Sequence, residues 1–232
     1  MNLLEYEAKN ILSASSIPVP QSELINRVDQ SSIRLPVVLK SQVPVGGRGK
    51  LGGIRIVEQA SDIDDAINSL LQLSVKGYTP STLLAEEKLN IDRELYLSVL
   101  INRSEATIEL VAHRDGGVEV ESNDSADFLH IALDGKNDEA AGERLAEYYG
   151  LESHSFALQD IVKNLYQCFV QNDATLIEIN PLILTKQTGS LPVTARWYLM
   201  MRLASVTQSG NLKPPHTTPT LSYSTRKVRW RQ

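Results

Sequence analysis

Residues 37–58 read Val37-Val38-Leu39-Lys40-Ser41-Gln42-Val43-Pro44-Val45-Gly46-Gly47-Arg48-Gly49-Lys50-Leu51-Gly52-Gly53-Ile54-Arg55-Ile56-Val57-Glu58. The apolar run 37–39 has the length and β-branching of a buried strand ending at Lys40, and 54–58 alternates as a second strand. Between them, five glycines fall in the eight positions 46–53. Gly47, Gly49 and Gly52 satisfy the Gly-x-Gly-x-x-Gly spacing of dinucleotide sites, but that motif needs a helix to open inside the loop, and here a strand follows. Lys50 is followed by Leu51 instead of Ser or Thr, which excludes the phosphate-loop pattern. What is left is a hairpin-like flap. Its backbone N–H groups, with Arg48 and Lys50, can cover a polyphosphate, and a solvated hairpin tip is the plainer reading of the same glycines.

Upstream, Leu4, Ala8, Ile11 and Leu12 recur at helical spacing behind a cap at Asn2, and Pro18 and Pro20 end that helix. Downstream, Ile63, Ala66, Ile67, Leu70 and Leu71 mark one face of a helix opened by a capping-box-like pair, Ser61 and Asp64. Strands are expected over 82–87, 94–102 and 107–113, and Asp115-Gly116-Gly117 breaks the chain before a further strand over 118–121. Two helices over 138–149 and 155–171 precede a last strand over 174–184, interrupted by Pro181. Adjacent strands with no helix between them suggest antiparallel pairing, so the prediction is a mixed α+β fold and not a doubly wound sheet.

The 232 residues are 42% apolar, enough to bury the core of one large domain or two lobes. A formal charge of -5 excludes a global polycation, but it hides an asymmetry. All 28 acids lie at or before Glu178, so residues 1–192 hold 16 basic residues against 28 acids, a balance of -12. Residues 193–232 carry seven basic residues and no acid. A single cysteine, Cys168, forms no intrachain disulfide, which suits a reducing compartment, and it reads as a small buried hydrophobe. Met1 to Lys9 place two acids where a secretory leader needs a basic region and an apolar run, so no leader is expected. Nor is a membrane span, since no run of about 18 apolar residues occurs.

Lys40 closes an apolar run, so its ammonium can emerge where strand meets loop as a countercharge for phosphate oxygens; a surface lysine is the bland alternative. Glu86 and Glu94 bracket a junction between strands where a carboxylate can accept from ribose hydroxyls, although such acids are more often only solvated. Glu178 and Asn180, two apart on a strand, share one face while Ile177 and Ile179 take the other. Oxygen ligands of this kind suit Mg2+ that substrate phosphates also hold, and a polar strand face is the competing reading.

Seven segments, in order and in register, resemble the beta subunit of succinate–CoA ligase, whose N-terminal part is an ATP-grasp domain. They are Met1-Asn2-Leu3-x-Glu5-Tyr6-x-Ala8-Lys9, Pro18-x-Pro20, Val37-Val38-Leu39-Lys40-x-Gln42-Val43, Gly46-Gly47-Arg48-Gly49-Lys50-x-Gly52-Gly53, Arg93-Glu94-Leu95-Tyr96-Leu97, Gly116-Gly117-Val118-Glu119-Val120-Glu121 and Glu178-Ile179-Asn180-Pro181-Leu182. The resemblance implies an ATP-grasp fold over 1–191, with a small lobe near 21–88 and a large lobe from 1–20 and 89–191. It implies that Lys40, Gly47, Arg48 and Gly49 form the phosphate-binding lysine and flap, and that Glu86, Leu89 and Glu94 form the nucleotide hinge. Asn180 is then one of two Mg2+ ligands, and Glu178 the acid near a phosphohistidine. Pro20 stands where the family has Pro or Gln according to nucleotide, and proline goes with ATP. The implied reaction exchanges a phosphoryl group between ATP and a histidine of a partner alpha subunit, in a heterodimer or heterotetramer, during interconversion of succinate and succinyl-CoA in the tricarboxylic acid cycle. The implied setting is cytoplasmic. The reacting histidine is therefore not expected here, and His113, His130, His154 and His216 read as structural or exposed residues. A related acid–CoA ligase, such as one using malate, is the alternative within enzymes; a nucleotide-binding remnant without catalysis is the alternative outside them.

The resemblance stops near Pro192. Where the family continues into Asp-(Gly or Ala)-Lys, whose aspartate is the second Mg2+ ligand, Val193-Thr194-Ala195-Arg196-Trp197-Tyr198 offers Ala195 or Arg196. Residues 192–232 are expected to form a divergent, disordered basic tail, read as translated out of the ancestral frame. Sequencing the gene tests that reading, and finding no single-base shift that restores an Asp-Ala-Lys-like continuation sinks it. Trp197, Tyr198 and Trp230 among basic residues could instead contact nucleic acid, but seven charges without a periodic face make a thin site, so none is expected.

Overall fold

The computed structural model describes residues 3–26, 34–117, 120, 124–185 and 194–195. Among the described residues nine strands form two sheets. The first contains β1 (Ser22–Ile25), β2 (Val37–Ser41), β3 (Ile54–Val57) and β4 (Leu83–Glu87), in the order β1-β4-β2-β3. The second contains β5 (Ile91–Asn102), β6 (Thr107–His113), β7 (Leu129–Leu133), β8 (Leu176–Thr185) and β9 (Thr194–Ala195), in the order β7-β6-β5-β8-β9. All the pairings within them are antiparallel. Four helices complete the described fold: α1 (Glu5–Ala14), α2 (Ile63–Gln72), α3 (Asp138–Tyr149) and α4 (Ser155–Gln171). This is the α+β class that adjacent strands implied.

Each sheet has its own core. On the first, Ala66, Ile67 and Leu70 of α2 pack against Val37, Leu39, Val57, Leu83 and Ala85. Because strand side chains alternate, that packing turns Val38 and Lys40 of β2, with Leu84 and Glu86 of β4, to the opposite face. The second core joins β5, β6, β7 and β8 to α3 and α4, with Cys168 inside it, and takes Ala8 and Leu12 from α1. Helix α1 thus belongs to the second core by its apolar residues. Its buried residues are Glu5, Ala8, Lys9 and Leu12, at the i, i+3, i+4, i+7 spacing of a single stripe.

Strand β6 and helices α3 and α4 run over the predicted residues, whereas other elements differ: the short strand β1 was not expected, β5 begins at Ile91 instead of Glu94, and further local features depart from the reading. Helix α1 starts at Glu5 behind Leu4, because the Leu4 N–H donates to the Glu7 carboxylate at 2.7 Å and closes the first turn; Asn2 lies outside the described residues. Helix α2 follows a 3-10 turn over Ala60–Asp62, and the Ser61 hydroxyl donates to Asp62 at 2.9 Å instead of capping the helix. Strand β7 was not expected, although Leu129, Ile131 and Leu133 alternate; five residues are too few to stand out between polar segments. Of the strand expected over 118–121 only Val120 is described. The tail also lies outside the described residues, save that Thr194 and Ala195 pair with Ile183 and Leu182 of β8. Among the described residues no helix is long and apolar enough to cross a membrane.

Candidate functional site

Lys40 is a residue of β2 and not its terminus, since the strand runs on to Ser41. It pairs with Leu84, while Glu86 pairs with Val38, so Lys40 and Glu86 are diagonal neighbours on one face. The Lys40 Nζ donates to Glu86 Oε1 at 2.6 Å and to Glu5 Oε1 at 3.1 Å. Lys9 Nζ reaches Glu5 Oε1 at 3.1 Å and also pairs with Glu86 Oε2. Arg48 Nη2 donates to Glu5 Oε2 at 2.6 Å. All five side chains belong to residues exposed by 5% or less. The expectation that the Lys40 ammonium emerges at the mouth of the loop is therefore corrected: two carboxylates supply its countercharge inside the protein.

Among the described residues two acids and three bases make up this cluster. Burial pushes the Glu5 carboxyl up, but Lys40, Lys9 and Arg48 outweigh it and hold the group well below the usual carboxylate range. Burial pushes the Lys9 ammonium down, even with Glu5 beside it. Glu5 and Lys9 were missed by sequence reasoning because charged residues on a helix are taken to face water. The signal was their spacing, which sets them on the same stripe as Ala8 and Leu12.

The glycine loop is tied to this cluster at its root. Arg48 is buried and does not lie exposed over the loop; its Nη1 donates to the Ser41 carbonyl at 2.6 Å. The Gly53 N–H donates to the Arg48 carbonyl at 2.8 Å, closing residues 48–53 around a 3-10 turn at Gly49–Leu51. Gly47 has φ +80, a left-handed conformation that favours glycine. Gly49 and Lys50 are exposed at the tip.

A second grouping lies on the other sheet. Strand β8 carries one residue more than β5 between the pairs Leu97–Ile179 and Leu95–Leu182, a bulge at Asn180-Pro181 that accommodates the proline. Ile177 and Ile179 are buried and Glu178 and Asn180 half-buried, so the predicted alternation holds. The Asn180 amide clamps one backbone unit: Oδ1 accepts from the Gly117 N–H at 2.5 Å and Nδ2 donates to the Gly117 carbonyl at 2.9 Å. Gly116 donates to the Glu94 carbonyl at 2.9 Å, and a Cβ there would meet the Leu95 oxygen at 2.5 Å. Gly117 has φ +104, and a Cβ on it would stand 3.1 Å from Glu94 Oε2. Glu94, Gly117 and Asn180 are thus neighbours.

The predicted residues gather in two groups, Lys40, Arg48 and Glu86 in the first and Glu94 and Asn180 in the second, with Glu178 on the Asn180 face. Leu89 is half-buried in the turn between β4 and β5. Among the described residues no three His, Cys, Asp or Glu side chains form a metal-binding group. Asn180 Oδ1 already accepts one hydrogen bond. Amide and carboxylate oxygens of this kind fit Mg2+ held mainly by phosphates and water, and do not fit an all-protein cage. His113 is buried against Phe128, ring centroids 4.7 Å apart, with its Nδ1 accepting from the Asp115 N–H, a structural role. His130 is exposed and His154 half-buried, and His216 lies outside the described residues.

The ATP-grasp domain family matches residues 2–184. The succinate–CoA ligase [ADP-forming] beta subunit of Ignicoccus hospitalis is 36% identical over 200 residues, covering 80% of this chain and 52% of that protein. Its counterpart in Methanocaldococcus jannaschii is 36% identical over 195 residues, covering 80% and 54%. The chain spans about half the length of the curated relatives it matches. Among solved structures, the dinucleotide-forming acetyl-coenzyme A synthetase 1 of Ca. Korarchaeum cryptofilum superposes with TM-score 0.67 at 22% identity, over 87% of this chain and 93% of that one. The ATP citrate lyase of Methanothrix soehngenii gives TM-score 0.59 at 20% identity, over 79% and 47%.

Proposed function

We propose, from the premise that this chain belongs to the ATP-grasp family, that it is the nucleotide-binding part of a succinate–CoA ligase beta subunit. One observation carries the reading: a buried cluster containing Lys40 and Arg48 stands at the root of a glycine loop. Lysine and arginine beside a glycine loop are the groups that recognise a phosphate chain. The loop glycines, Gly47 and Gly49, present backbone N–H groups to it. We divide the domain into a small lobe near 21–88 and a large lobe of 1–20 and 89–191, with Glu86, Leu89 and Glu94 at the hinge toward the nucleoside. Mg2+ would be held by Asn180, and when bound it neutralises phosphate charge. The single buried Cys168 fits a reducing, cytoplasmic setting.

The reaction is a phosphoryl exchange with a histidine of a partner alpha subunit. The bond between the γ-phosphorus of ATP and the bridging oxygen breaks, ADP leaves with that oxygen, and a phosphorus–nitrogen bond forms on the imidazole, which releases its other N–H proton. This chain's part is positioning: Lys40 and the loop hold the phosphates in line while the accepting nitrogen approaches. Glu178 would stand near that imidazole, accept a hydrogen bond from its other N–H and offset the positive charge that develops as the phosphorus–nitrogen bond forms. The test is co-expression with an alpha subunit and incubation with ATP labelled at the γ-phosphate. Acid-labile label on the alpha subunit is expected, and its absence from a folded complex contradicts the exchange. A second reading, a nucleotide-binding remnant, is favoured by Ala195 or Arg196 standing where the resemblance implies an aspartate. Nucleotide binding without transfer to histidine would establish it.

A further inference from the structure

We propose that Glu5 is a positioning residue of the phosphate site, a carboxylate carried by the helix of one core that sets the geometry of the cations on the other sheet. The inference rests on the nucleotide reading above and adds a residue to it. Its two oxygens divide the work. Oε1 lies 3.1 Å from Lys40 Nζ, and Oε2 lies 2.6 Å from Arg48 Nη2. One carboxylate therefore fixes both the ammonium in β2 and the guanidinium that roots the glycine loop. Arg48 is held a second time, by the Ser41 carbonyl at 2.6 Å, so the direction of its fork is settled from two sides.

The carrier matters as much as the contact. Ala8 and Leu12 seat α1 in the second core, so the position of Glu5 is that of the larger sheet, while Lys40 and Arg48 belong to the smaller one. Lys9, one turn later on the same stripe, pairs with Glu5 and with Glu86, which keeps the carboxylate from swinging away. The Tyr6 N–H donates to the Gln42 side chain at 3.2 Å, a further tie from α1 to the segment leaving β2. Five buried charges are a costly way to join two layers, because each ion loses its hydration and an apolar contact of equal volume is often at least as stable. Pre-setting two cations for an anion is the return that apolar packing could not give.

The test uses the full chain and compares the affinities of Mg-ATP and AMP by calorimetry, since only the phosphate chain senses Lys40 and the loop. Glu5→Gln keeps the shape and removes the charge that holds both cations. The ratio of ATP to AMP affinity is expected to fall about tenfold, with AMP binding itself unchanged. A purely structural role would lower the unfolding midpoint and leave the ratio where it was, and that result overturns the inference. If Glu5→Gln does not fold, Glu5→Asp, which keeps the charge and shortens the reach, is held to the same two outcomes. Wild-type protein that binds ATP no more tightly than AMP would overturn the nucleotide reading, and this inference with it; wild-type discrimination retained in full by the variant overturns the inference alone.

Discussion

The two groupings of candidate residues solve the same packing problem in opposite ways. Between α1 and the first sheet, five charged side chains are buried together and joined by ion pairs. On the second sheet, a neutral amide clamps a neutral backbone unit, Asn180 on Gly117, and leaves no charge behind. A neutral clamp holds a bulge and a glycine turn in place at little cost. A charged cluster is expensive to assemble and is sensitive to the loss of any member, so the two regions should respond very differently to truncation.

The largest difference is expected for Glu86→Ala. It leaves Lys40 and Lys9 without a carboxylate they share, and should cost about 3–5 kcal/mol in urea unfolding. Acid should separate the regions next. Glu5 is held below its ordinary value of 4.5, so below that pH the unfolded chain takes up a proton that the folded chain refuses. Stability from this carboxylate is complete above that pH and is lost as pH falls toward the folded-state value. Urea midpoints measured from pH 7 to pH 3 should fall in the wild type and fall less in Glu5→Gln. On the second sheet, Gly116→Ala sets a Cβ against the β5 backbone and should cost about 1–3 kcal/mol by thermal unfolding. Asn180→Ala, at a half-buried position where water replaces the lost partners, should cost about 1 kcal/mol and leave the acid profile unchanged.

Much of this was legible from pattern alone. The alternation of Ile177 and Ile179 with Glu178 and Asn180 is a property of any strand, and the long helices α3 and α4 have an apolar period too regular to misplace. Gly116-Gly117 was visible as punctuation, but its cause, a backbone approach to Leu95 and an amide on Asn180, depends on residues 21 and 63 positions away. The cluster was half legible. Lys40 and Glu86 stood out at strand ends, yet their burial follows from which face α2 covers, and Arg48 turns inward to the Glu5 carboxylate and the Ser41 carbonyl. Glu5 and Lys9 stand at i, i+4, a spacing equally compatible with an exposed pair. Only the packing of Ala8 and Leu12 on the same stripe sends both charges inside.

The most direct test of a nucleotide site built on the charged region is a calorimetric titration of the full chain with Mg-ATP, in the wild type and in Lys40→Met. Saturable binding in the wild type and at least about tenfold weaker binding in a folded Lys40→Met are predicted. Absence of binding in the wild type, or equal affinity in the two, would contradict the account.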